Sequence, residues 1–257
     1  MTLKSGKLFV IALVGAIMAT PCLHAATATD AADQADADYR RMATKAARFF
    51  NEGEWLNANA MYTLMLDQRP DVASTYAHAV MTNVMLNDTA AVSRVIAQSM
   101  AHNVPIDTLL NDVHRLSTRA GIADLYERLL VSLRGQFPWM QRSLNSYLLK
   151  YYTYRDNGPE MVHYARLMLQ GLPDSKEFNS ILARGYMLTG QYDEAVKTWV
   201  HILAVHPEDY DTLLALGNYY AAAGNMRTAR PYLELAQAKC PTPYVAKLLA
   251  SSARSHD

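Results

Sequence analysis

The chain has 257 residues, no net formal charge, 51% hydrophobic residues and 19% charged ones. That balance excludes a disordered chain, and 24 basic against 24 acidic residues leave no basic field for general nucleic-acid binding. Two cysteines, Cys22 and Cys240, exclude a disulfide framework and a cysteine-rich metal cluster.

In chain order, residues 1–25 come first. Lys4 and Lys7 give a positive start, an apolar run follows from Leu8 to Ala19, and Leu23-His24-Ala25 is a small-residue exit. This is the tripartite pattern of a secretory signal peptide. Twelve apolar residues at 1.5 Å each span about 18 Å, well short of the ~30 Å hydrocarbon core. The reading is therefore export, most simply to the periplasm. The alternatives are an uncleaved membrane anchor and lipidation at Cys22, against which Pro21 departs from the usual lipidation box. Cleavage would leave Cys240 alone, and a buried, unreactive thiol in a helical core is expected there. Residues 26–38 (ATATDAADQADAD) have no apolar stripe and read as a solvated acidic spacer, or as the start of a helix favoured by its aspartates.

Downstream, landmarks recur 34 residues apart. Gly190-Gln191-Tyr192-Asp193-Glu194-Ala195, then Trp199, Ile202 and Pro207, returns as Gly224 to Ala229, then Leu233, Ala236 and Pro241. The same comb fits Gly53 to Ala58, then Tyr62, Met65 and Pro70. On these residues the chain resembles the tetratricopeptide repeat family, whose unit is a helix-turn-helix of that length.

The resemblance implies an all-α fold, a right-handed α-solenoid of about six helix-turn-helix units over 39–243, with boundaries at 39–72, 73–106, 107–140, 141–175, 176–209 and 210–243. The one longer unit places its extra residue in the turn Arg155 to Pro159, where an insertion costs least. Pro70, Pro138, Pro173, Pro207 and Pro241 share one phase, and the second unit has Val104 there. Glycine at the turn supplies a positive φ, and proline ends each second helix. Small residues (Ala46 and Ala58, Ala183 and Ala195, Gly217 and Ala229) allow close crossings. The middle departs from the comb, with Val80, Asn87 and Val92, then His114 and Tyr126, then Leu148 and Met161 at landmark positions. Residues 244–257 read as a capping helix and tail.

No residues remain for a catalytic domain, and no enzyme activity or cofactor is expected. There is no His-Glu-x-x-His; His201 and His206 are five apart, so no metal site is expected. Asp193-Glu194 and Glu208-Asp209 read as solvated caps at helix starts.

The resemblance further implies an inner face lined by first-helix positions. Carried onto this chain, the partner-binding groove comprises Phe50, Met81, Met85, Arg115, Arg119, Arg142, Leu149, Tyr152, Arg184 and Met187. Methionine and aromatic side chains with guanidinium groups suit an apolar peptide bearing carboxylates. Stacking between repeats would instead bury the same stripe as core. The Lys/Asn carboxylate-clamp set of the family is absent, so a chaperone tail is not implied. The functional expectation is a non-enzymatic scaffold or adaptor of the bacterial cell envelope that binds a protein or peptide. Self-association into a homo-oligomer, or a small-molecule- or glycan-binding subunit of an envelope complex, stand as alternatives.

Overall fold

The structure, a computed structural model, describes residues 20–122 and 124–253. The positive start and apolar run of the expected export signal lie outside those residues. The described residues are helical and contain no strand. The helices are α1 (Thr20–Asn51), α2 (Trp55–Gln68), α3 (Ala73–Met85), α4 (Thr89–Ala101), α5 (Ile106–Arg119), α6 (Leu125–Gln136), α7 (Gln141–Tyr154), α8 (Gly158–Leu169), α9 (Lys176–Leu188), α10 (Tyr192–Val205), α11 (Tyr210–Ala222), α12 (Met226–Lys239) and α13 (Pro243–Ala253). A single 3-10 turn, Pro138–Met140, precedes α7. The chain divides into two compact units with the boundary between Tyr126 and Glu127.

The turns carry the period. Gly53, Asn87, Gly121, Asp156, Gly190 and Gly224 all have positive φ, between 52° and 75°, and each sits between the two helices of one pair. L-residues other than Asn and Asp rarely enter that region, which explains why the two non-glycine members are an asparagine and an aspartate. Asn87→Val should therefore lower stability by about 1–2 kcal/mol in thermal unfolding, a cost that a neighbouring helical position would not show. Between α4 and α5, where the landmark proline is replaced by Val104, Asn103 takes φ 57° and Pro105 precedes α5. A left-handed asparagine there stops the helix where a proline stops the others.

In the first unit α1 packs on α2, α2 on α3, and α3 on both α4 and α5. The crossing of α1 and α2 is closed by Ala46 and Ala58, both fully buried. Where the comb lacks small residues, rings fill the crossing: His114 of α5 stacks on Tyr126 at 4.5 Å with 20° between planes. A polar bridge joins α2 to α3, with Asn59 Oδ1 accepting from Asn83 Nδ2 at 2.9 Å and Thr82 Oγ1 at 3.2 Å. Helix α1 runs without a break through residues 26–38, where Asp36 pairs with Arg40 at 2.8 Å and Arg69 at 3.2 Å.

In the second unit α7 packs on α8, α8 on α9, α9 on α10, α11 on α12 and α12 on α13. Ala183, Ala195 and Ala229 are fully buried, as are Leu148 and Met161, the large pair of the fourth repeat. Helix α12 runs through Pro231. The last helix, α13, seats Val245 in a cluster with Ala229 and Leu233, flanked by Leu248 and Leu249. That contact is what a C-terminal capping helix makes. Asp209 caps α11 through Thr212 N at 3.1 Å and pairs with Lys176, while Glu208 pairs with Lys239 and Glu194 with Lys197. Burial pushes the Asp209 carboxyl up, but the bonds from Lys176 and Thr212 outweigh it and hold the group below its ordinary range.

One expectation fails. Cys240 is exposed, because it lies past the end of α12 in the turn before Pro241 and not on a helix face.

Buried phenols set an alkaline limit. Burial pushes Tyr62 up to about 12, and Tyr126 and Tyr152 higher still. The Tyr76 hydroxyl is buried without a hydrogen-bond partner and is likewise raised, by burial and then by Asp71. The unfolded chain releases these protons near pH 10 and the fold retains them to higher pH, so the fold binds more protons in that window. Stability should be level to about pH 10 and fall above it, read as a urea midpoint lower at about pH 11 than at about pH 8.

Candidate protein-binding cleft

The ten groove positions divide between the units, five in each. Their fates differ. In the first unit Met81 is fully buried. Helix α3 packs against α2, α4 and α5, so nearly its whole circumference is core. In the second unit Leu149 and Tyr152 are also core, at 2% and 5% exposure. Tyr152 donates to Glu127 Oε1 of α6 at 2.6 Å and stacks on Tyr164 of α8. Asn145, four residues before Leu149 on α7, accepts from Arg134 Nη1 at 3.3 Å. Tyr152 and Asn145 bond to α6, and Met81, enclosed by α2, α4 and α5, is core as well, so Met81, Leu149 and Tyr152 leave the groove assignment.

The arginines remain outside. Arg115 pairs with Asp112 at 2.8 Å, and Arg184 pairs with Asp156 in the turn between α7 and α8. The Arg142 guanidinium lies against Gly171. Met85 and Met187 are half-buried.

Two of the ten residues, Phe50 and Arg119, meet in one place. A cleft of about 540 Å³ in the first unit is lined by Ala47, Phe50, Asn51, Trp55, Tyr62, His78, Leu116, Arg119 and Ile122, with Glu52 and Gly53 in the turn. Its size falls in the range of ligand sites, about 300–1,000 Å³.

Three helices and the turn after α1 build the aromatic side. Phe50, in the last turn of α1, meets Trp55 edge-on at 5.4 Å, Tyr62 at 6.3 Å and His78 at 5.1 Å. The Tyr62 and His78 rings lie 5.1 Å apart with a 30° tilt. His78 Nδ1 bonds to the Ser74 carbonyl at 2.7 Å, which makes that nitrogen the donor. Burial, the larger effect, holds this imidazole below its ordinary range and so favours its neutral form. The opposite side comes from the end of α5 and the turn after it, with Leu116, Ile122 and the exposed Arg119.

Charge around the cleft is unbalanced. Glu52 has Arg48 at 3.8 Å, whereas Arg119 pairs with no acid among the described residues. An unpaired guanidinium beside an apolar, aromatic hollow can hold a carboxylate while the rings hold a side chain.

The first-helix positions that the resemblance implied include Phe50 and Arg119 but not Trp55, His78, Leu116 or Ile122. His78 lies next to a stripe position on α3, and a histidine there was the available signal. Among the described residues no three His, Cys, Asp or Glu side chains converge in a metal-binding cluster, and His201 pairs with Asp174 at 3.3 Å.

The decisive observation for the fold is the turn series. Six positive-φ turns are spaced 34, 34, 35, 34 and 34 residues apart, each inside a helix pair, and the longer step falls at Asp156 as the comb requires. This is the tetratricopeptide-repeat fold.

No family model and no curated protein matches the chain. Solved tetratricopeptide-repeat structures do. The C-terminal part of a TPR repeat-containing protein from Cytophaga hutchinsonii is 14% identical, with a TM-score of 0.47 over 79% of each chain. PilW, a type IV pilus biogenesis factor, is 16% identical, with a TM-score of 0.47 over 84% of this chain and 98% of that one. PilF of Pseudomonas aeruginosa is 11% identical, with a TM-score of 0.43 over 85% and 99%. Among the described residues no helix is long and apolar enough to cross a membrane.

Proposed function

We propose that the chain is a non-enzymatic protein-binding module of the bacterial cell envelope, exported by residues 1–25 and holding a segment of a partner protein in the cleft of its first unit. The observation that carries this reading is the meeting of Phe50, Trp55, Tyr62 and His78 with Arg119, which has no acidic partner among the described residues. Helix pairs of such repeats stack on their neighbours, and this hollow gathers an aromatic cluster beside an exposed guanidinium. The Lys4–Ala25 pattern supports the export step.

Affinity capture from isolated envelopes tests the assignment. A partner recovered with the unaltered protein should be lost with Arg119→Glu and kept with Arg128→Glu on α6. Equal recovery with all three proteins would remove the cleft from the interface. N-terminal sequencing of the protein from its host tests export: a start near Ala26 is expected, and an intact Met1 would contradict cleavage.

A further inference from the structure

We infer that the cleft selects an aromatic side chain flanked by a carboxylate, presented on an extended segment of the partner. This rests on the protein-binding reading and adds the chemistry of what is bound. Phe50 is the hub, with three rings approaching it edge-on or steeply inclined. Rings arranged this way offer both faces and edges to one more ring, and aromatic pairs at such angles are favourable beyond the area they bury. Trp55 is half-buried and therefore partly open to an incoming group. An aliphatic side chain would fill the same space without the quadrupole match.

The charges then set what flanks that ring. Glu52 is opposed by Arg48, Asp112 of α5 is opposed by Arg115, and His78 has its Nδ1–H committed to Ser74. Arg119 is left as a planar donor with no carboxylate among the described residues, on the part of the cleft lining that α5 supplies. A guanidinium takes a carboxylate bidentately, and a partner aspartate or glutamate one residue from the aromatic reaches across such a hollow in extended chain. A basic flank would meet an unpaired positive charge and is disfavoured.

The isotope-labelled protein is titrated with acetyl-Asp-Phe-Asp-amide and with the same tripeptide carrying Ala for Phe, Asn for both Asp, or Lys for both Asp. Chemical shifts of the Trp55 indole N–H and of the Asn51, Glu52 and Arg119 amides report the site. The Asp-Phe-Asp peptide should bind about tenfold tighter than the Ala and Asn forms, and its affinity should fall with added salt. Arg119→Gln, at an exposed position, should abolish the preference for Asp over Asn. Phe50→Leu should abolish the preference for Phe over Ala. Equal affinities for the Asp and Asn peptides, shifts confined to other residues, or no binding at millimolar peptide would overturn the inference. The two readings fail separately. Partner capture that depends on Arg119 without peptide selectivity sinks only this chemistry, and peptide selectivity with unchanged partner capture sinks the protein-binding role.

Discussion

Truncating Leu148 to alanine lowers the unfolding free energy by about 2–5 kcal/mol, read from urea unfolding followed by helical signal. Leu148 stands where the tetratricopeptide comb has a small residue, and it is fully buried, as is Met161 on α8. An alanine at that position elsewhere in the chain, such as Ala183, lets two helices close together. Here α7 and α8 have closed around large side chains, so alanine leaves a cavity the pair cannot collapse. Because each repeat is held mainly by its neighbours, the loss should appear as earlier melting of the second unit. Tyr154→Ala, on the same helix but 86% exposed, should change stability by less than about 0.5 kcal/mol. A Leu148→Ala loss no greater than that would mean α7 and α8 are not closed as described.

Gly185→Val should be destabilising by about 1–3 kcal/mol through overpacking. A Cβ at Gly185 would lie 3.0 Å from Val162 Cγ2, 3.2 Å from Met161 Cβ and 3.2 Å from the Gly158 carbonyl oxygen. Two of those neighbours are backbone or Cβ atoms and cannot rotate away, so α8 and α9 must separate. The matching glycine is Gly158, where an added Cβ would sit 2.9 Å from Leu188 Cβ. Glycine in a helix normally costs about 1 kcal/mol against alanine, and the close approach of α8 and α9 offsets that. Gly135, near the end of α6 with nothing within 4 Å of an added Cβ, is the control: Gly135→Ala should be neutral or stabilising. If Gly185→Val matched it, the α8–α9 contact would be looser than described.

The repeat frame was legible because punctuation is local. Gly53, Gly121, Gly190 and Gly224 announce a positive φ by residue type alone, and the landmark prolines announce helix ends. Asn87 was harder, yet asparagine tolerates the left-handed region and the frame put it at the turn. In the fourth unit the frame gave only the turn Arg155 to Pro159, within which Asp156 takes the positive φ. The groove was less legible. First-helix positions are shared between an inner face and the packing of the preceding second helix, and type does not separate the two. Tyr152 and Leu149 went to the core because α6 presents Glu127 and Arg134 toward α7. Met81 went there because α3 has helices on three sides. The aromatic cleft depends on rings from α1, α2 and α3 converging, which one sequence cannot display. Cys240 was misplaced for a related reason: a residue just past a helix end has no face, so helical phase says nothing about its burial.

The central claim is a chain of helix pairs broken at six fixed turns, and residue-resolved amide hydrogen exchange tests it most directly. Slow exchange is expected within each helix core, with fast exchange recurring at Gly53, Asn87, Gly121, Asp156, Gly190 and Gly224. Continuous protection across any of these turns, or fast exchange through α8 and α9, would contradict the account.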